Sequence, residues 1–272
     1  MFNEKVFATT GGSTATIEAP HPEVSTTVGG PPPVVTAGRT MTIGGTCAAA
    51  GLMIVALVAG AWYGWGKVVV LTTTGANGQS VNQASLQSPG WLIGAAIFAF
   101  VVAMATVFMP KIARFSWLPY SLAEGVVLGL ISHLYDTQTK GIAIQAVVAT
   151  IGVFALMLLL YGLRVLRATP RFTKGVIAAT FGVMAIYLVS WIASLFGSDL
   201  NLWSSSSPLS IGISLVIVGV AALNFILDFD FIERGATAGL PSYMEWYGAF
   251  GLVLTLVWLY LEMLRLLSKL QR

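Results

Sequence analysis

Asp228 and Asp230 stand two residues apart in Leu227-Asp228-Phe229-Asp230-Phe231-Ile232-Glu233, directly after the apolar run 209–226. Carboxylates at the end of a membrane-length apolar run are costly to desolvate, so they mark a site, a proton relay or an ion path. Glu124, Asp136, Glu245 and Glu262 are further acids at or inside apolar stretches. Acids that share one depth can hold a proton near neutral pH or bind a hard cation. Asp228, Asp230, Glu245 and Glu124 are expected to do so, with the bland alternative that each faces a loop or an arginine separately. Asn224, one helical turn before Asp228, is placed to hydrogen-bond its carboxyl. Lys111, Arg114 and Arg234 are its expected cationic partners.

The segments that must hold these residues are membrane spans. Of 272 residues, 56% are hydrophobic and 9% charged, against roughly 25% charged in a soluble domain. The composition predicts an all-α membrane protein. Runs of about 20 apolar residues predict seven spans, at 43–65, 91–109, 118–135, 142–163, 176–196, 209–229 and 242–267. Trp62, Tyr63 and Trp65, Trp117 and Tyr120, and Trp246 and Tyr247 lie near span edges, where aromatic side chains anchor to the interface. Residues 1–40, rich in Thr, Gly and Pro, read as a disordered cytoplasmic tail, and 41–272 as the seven-span domain.

With the N-terminus inside, the inner loops carry Lys111, Arg114, Arg164, Arg167, Arg171, Lys174 and Arg234. The outer loops carry Lys67 and Lys140, and the loop near Asp199 carries none. The bias predicts a cytoplasmic N-terminus; Arg265, Lys269 and Arg272 at the other terminus run against it. The net charge of +3 is explained by these loops and gives no reason to expect nucleic acid as a partner. Along span seven, Gly248, Gly251, Thr255 and Glu262 form a small or polar stripe. Positions 248, 255 and 262 are seven apart and share a face, so this span is expected to pack inside the bundle.

Enzymatic readings lack their residues. His21 lies in the tail and His133 at a span end, too few for an intramembrane zinc hydrolase. Gly11-Gly12 and Gly44-Gly45 lack the Gly-Lys-Ser/Thr of a phosphate loop. Ser204 to Ser207 form a polar outer loop rather than a nucleophile motif. Span seven has no lysine before Lys269 for a retinal Schiff base. The lone Cys47 cannot form an internal disulfide. The protein is not expected to be an enzyme or to carry a cofactor.

Three stretches resemble the Bax inhibitor-1 / YccA-like family. Leu227 to Ile232 is similar to its Asp-Phe-Asn/Asp motif on span six. Ala249 to Thr255, running on to Tyr260 to Leu267, resembles its terminal span, and Leu122 to Gly129 its third. The resemblance implies two groups of three helices around a central seventh, and a bacterial inner-membrane protein. It also implies, for some members, a pH-dependent calcium leak gated by an aspartate pair on spans six and seven. Asp228 takes the span-six position. The span-seven position falls on Thr255, which cannot ionise, so Glu245 is the expected substitute, with Glu262 behind it. Asp228 and Glu245 would be the calcium ligands, calcium being the transported ion. The family's acid in span two is absent, Ile97 to Phe100 being apolar. Other bacterial members regulate membrane proteolysis, so a non-conducting regulator that binds a membrane protease or other membrane protein is the alternative.

Overall fold

The computed structural model describes residues 39–74, 80–86, 89–196 and 208–271. The expected tail up to residue 38, His21, the loop with Asp199 and Ser204 to Ser207, and Arg272 lie outside these residues. The chain Gly38–Arg272 forms one compact unit.

Seven α-helices follow one another: α1 Ile43–Trp65, α2 Pro89–Phe108, α3 Ala113–Gln138, α4 Ile142–Gly162, α5 Pro170–Leu195, α6 Pro208–Thr237 and α7 Tyr243–Leu270. Six are long and apolar enough to cross a membrane; the apolar part of α2, Ile93–Phe108, is shorter. Thr42 caps α1 by accepting from Gly45 N at 3.0 Å. Thr169 caps α5, with Pro170 opening the helix where no N–H is needed. A short 3-10 turn, Pro110–Ile112, leads into α3. Between α1 and α2 the chain forms an antiparallel hairpin, β1 Val68–Thr74 and β2 Ser80–Leu86, with Val68 opposite Leu86. This hairpin departs from an all-α expectation outside the spans. Its first strand is β-branched at every position but Leu71, which favours extended backbone.

The helices pack as α1–α2–α3 on one side and α4–α5–α6 on the other, with α7 touching α1, α3, α4 and α6. The outer faces are apolar: Val58, Phe100, Val148 and Phe181 are each more than half exposed, as suits side chains that meet lipid. The core is built on α6 and α7, where Phe225, Ile226, Leu259 and Leu264 are fully enclosed. Aromatic pairs join the groups to it: Trp117 with Trp246, Tyr120 with Phe250, and Phe154 with Phe225.

The tightest contact is between α1 and α3. A Cβ on Gly60 or Gly64 would run into the carbonyls of Leu122 or Val126, and one on Gly125 or Gly129 into those of Leu57 or Ala61. Glycines four apart on both helices thus let two parallel backbones touch.

At one end the chain before α1 lies along the α6–α7 turn. Met41 N donates to Leu240 O at 2.6 Å and Ser242 N to Arg39 O at 2.9 Å, around a bridge between Thr40 and Pro241. Gly239 stops α6 with φ +66°, and Leu240 N closes back on Gly235 O at 3.1 Å.

Candidate functional site

Helix α6 does not end at its carboxylates. It runs on to Thr237, helped by the Arg234–Asp230 pair one turn apart, 2.9 Å. The expected span end at residue 229 is therefore eight residues short. As a result Asp228 faces the middle of α7, twelve residues beyond Tyr243 and fifteen before Leu270. There Thr255 Oγ1 donates to Asp228 Oδ2 at 2.7 Å, and the same hydroxyl lies 3.2 Å from Gly251 O. Gly251 packs beside the pair: a Cβ there would sit 3.5 Å from Asp228 Oδ1, an ordinary contact.

Glu245 is elsewhere. Its Oε1 accepts from Thr42 N at 2.9 Å and Thr42 Oγ1 at 2.8 Å, and its carboxylate occupies the space a Cβ on Gly45 would need. It therefore completes the N-terminal cap of α1, where backbone N–H groups favour an anion. Ten residues separate it from Thr255, about 15 Å along the helix. Ligands of one calcium ion, each about 2.4 Å from the metal, cannot be that far apart. Glu245 is neither the partner of Asp228 nor its joint ligand. Thr42→Ala removes both a cap and a carboxylate partner. It should cost about 1–2 kcal/mol and speed amide exchange at Gly45 and Thr46, with α7 beyond Phe250 unaffected.

The other expected residues also separate. Asp230 keeps to Arg234, which further donates to Ala168 O at 3.2 Å. Lys111, in the 3-10 turn, and Arg114, in the first turn of α3, are exposed. The hydroxyl of Thr255, not a cation, is the hydrogen-bond partner that Asp228 has. Asn224 Nδ2 donates to Thr180 Oγ1 at 2.9 Å and Val220 O at 2.8 Å, tying α5 to α6 rather than bonding the carboxyl. Glu124 is half-buried on α3, one turn beyond Tyr120. Asp136 accepts from Gly141 N at 2.7 Å and shapes the α3–α4 turn. Among the described residues no three His, Cys, Asp or Glu side chains gather to hold a metal.

A second polar layer lies further along α7. Glu262, 2% exposed, accepts from the Tyr187 hydroxyl and pairs with Arg265 at 3.1 Å. Buried Lys269 donates to Ser210 Oγ at 2.7 Å and Ser214 Oγ at 2.8 Å. Arg265 and Lys269 are thus inside the helix bundle, not loop charges to be weighed for orientation. Ser132 and Tyr260 hydroxyls meet at 2.6 Å and join α3 to this layer. The seven-residue stripe 248, 255, 262 continues to 269, and that spacing is the signal by which Lys269 could have been found.

No curated protein and no solved structure matches this chain significantly. A family model described as Bax inhibitor 1 like matches residues 2–272. The match spans the whole multi-pass helical bundle, and the chain belongs to the Bax inhibitor 1 like family.

Proposed function

We propose that this membrane protein is a pH-sensitive cation leak, with calcium as the ion, Asp228 as the switch and Thr255 as its partner. The observation that carries the reading is a carboxylate in the middle of the bundle, bonded by a hydroxyl rather than by a cation. When Asp228 is ionised, the Thr255 proton serves it. When Asp228 is protonated, its own O–H donates to Thr255 Oγ1, and the Thr255 proton turns to Gly251 O. One protonation thus reverses a hydrogen bond between α6 and α7 and alters how the two helices hold together. The ion is assigned a passage, not a resident site, and no enzymatic role is proposed.

Flux of calcium into liposomes holding the purified protein, from pH 6 to 8, tests this. Wild type should show a pH-dependent flux, Asp228→Asn a flux without that dependence, and Thr255→Val a shifted profile. An Asp228→Asn protein whose flux and profile match wild type would sink the assignment.

For orientation we propose a cytoplasmic N-terminus in a bacterial inner membrane, supported by the exposed cations of the α2–α3 and α4–α5 connections. The regulatory reading has its own support: the chain leaving the tail is fastened to the α6–α7 turn, so a partner holding residues 1–38 would pull on the switch helices. Absence of flux in every sample, with one stoichiometric membrane protein captured by cross-linking in native membranes, would move the conclusion there.

A further inference from the structure

Seven acids lie among the described residues. Six have a hydrogen-bonding partner: Asp136, Asp228, Asp230, Glu233, Glu245 and Glu262. The seventh, Glu124, has neither a hydrogen bond nor an ion pair among the described residues. It is not reaching for water at a helix end. Helix α3 runs Ala113–Gln138, which leaves Glu124 about 16 Å from the nearer end. An acid that deep in a span marks a site.

Two hydroxyls on the preceding turn are unsatisfied as well. Tyr120 Oη and Ser121 Oγ have no hydrogen-bond partner among the described residues, in side chains 1% and 0% exposed. A buried hydroxyl left unpaired is costly, and a water or an ion is its usual explanation. Glu124 follows these residues by four and three positions, so it neighbours both on the helix surface. Helical side chains lean toward the preceding turn, and the Glu124 charge acts on the Tyr120 hydroxyl. One unpaired carboxylate and two unpaired hydroxyls therefore share one turn of α3.

The level of this turn follows from α7. Trp117 stacks on Trp246, Tyr120 meets Phe250, and the Ser132 hydroxyl bonds that of Tyr260, so the two helices run parallel and in step. Four residues beyond the Tyr120–Phe250 contact, Glu124 is level with Leu254. Asp228 bonds Thr255 and lies beside Gly251, which is the same level. Helix α7 thus has a carboxylate on each side at one depth, Glu124 from α3 and Asp228 from α6. No fixed cation stands at Glu124. Helices α1, α2 and α4 carry no charged residue. On α7, Glu245 and Glu262 are more than two turns away in level, with Arg265 and Lys269 further still. Lys111, Arg114, His133 and Asp136 are nine or more residues off along the chain.

An oxygen donor set with one charge and no cationic partner suits a hard cation. We propose that Glu124, with the Tyr120 and Ser121 hydroxyls, is a weak station for a hydrated divalent cation. The carboxylate takes the ion, and the hydroxyl oxygens accept hydrogen bonds from its water. A single carboxylate gives an affinity on the order of millimolar, weak enough for an ion that must leave again. That the ion pausing here is the leaking calcium rests on the function proposed above; the site itself does not.

Terbium, which replaces calcium among oxygen ligands and emits when a nearby Trp or Tyr is excited, is the probe. Titrated into the purified full chain in detergent, it should give a sensitised emission that excess calcium lowers. Glu124→Gln should raise the half-saturating terbium concentration at least about tenfold. Tyr120→Phe with Ser121→Ala, which keep the carboxylate, should raise it about fivefold. Asp228→Asn should leave the titration as in wild type. Gel-filtration profile and helix signal show each variant folded. A Glu124→Gln titration, or one of the hydroxyl double variant, that matches wild type would overturn the site. Calcium flux separates the site from the leak: a protein without flux, whose terbium titration still responds to Glu124→Gln, would end the leak reading and keep the station.

Discussion

Gly125→Leu is expected to prevent the bundle from assembling. A Cβ at this position already meets the Leu57 carbonyl of α1, and the obstruction is backbone, which has no rotamer to turn aside. Leucine adds three more carbons at the same point. Overpacking against side chains costs about 1–3 kcal/mol; here the helices themselves must separate, so the cost should reach at least about 3 kcal/mol. Because α1 and α3 form the most extensive helix pairing in the molecule, their separation also undoes the contacts of α3 with α7. Gly152→Ala on α4 is the matching control, since its Cβ would meet nothing within 4 Å. It should raise stability by about 0.5–1 kcal/mol through lost backbone freedom alone. Unfolding by denaturing detergent, followed by helix signal and by gel-filtration profile, measures both. A Gly125→Leu protein as stable as wild type would mean that α1 and α3 do not touch through their glycines.

Glu262→Ala should be nearly as damaging. It leaves Arg265 with a tyrosine hydroxyl where it had a carboxylate, in a layer that also contains Lys269. Removing one partner of a buried pair costs about 3–5 kcal/mol, and since the Arg265 side chain is 28% exposed, the lower end applies. Replacing both partners, Glu262→Met with Arg265→Met, should recover most of the loss, because no buried charge is then left uncompensated. The same unfolding assay over wild type, both single variants and the double variant gives the coupling. If the double variant is as unstable as the sum of the singles, the pair is not coupled and the layer is held by Lys269 and its serines instead.

The spans were legible because a helix that crosses a membrane must be apolar over its whole length. The first begins and ends where the sequence puts it, Ile43–Trp65. What misled was polarity inside a helix. The run 209–226 looks finished at Asp228, yet α6 continues for nine more residues, because an i,i+4 ion pair and a glycine stop define its end better than hydropathy does. That error in length placed Asp228 near a helix end and made Glu245 look level with it. Thr255, read as part of the polar stripe of span seven and as the position where an acid is missing, is the residue in contact. Glu245 could not be read as a cap, since its partner Thr42 lies 203 residues away in sequence. The α1–α3 glycines were visible as letters, but only the pairing of two helices shows which carbonyls they admit.

The short bridge between residues 39–42 and the α6–α7 turn has a mechanical consequence. It binds the starts of α1 and α7 and the end of α6 into one knot, and the Glu245 cap tightens it. A book bound along its spine opens only at the fore-edge. Rearrangement of α6 against α7 would likewise have its fulcrum at this knot. Displacement must then grow with distance from it, so the Asp228 level moves by an intermediate amount and the Glu262–Lys269 layer by the most. In that far layer the Glu262–Arg265 pair, the Tyr187 hydroxyl and the Lys269–serine contacts are the clasp that any separation of α7 from α5 and α6 must undo.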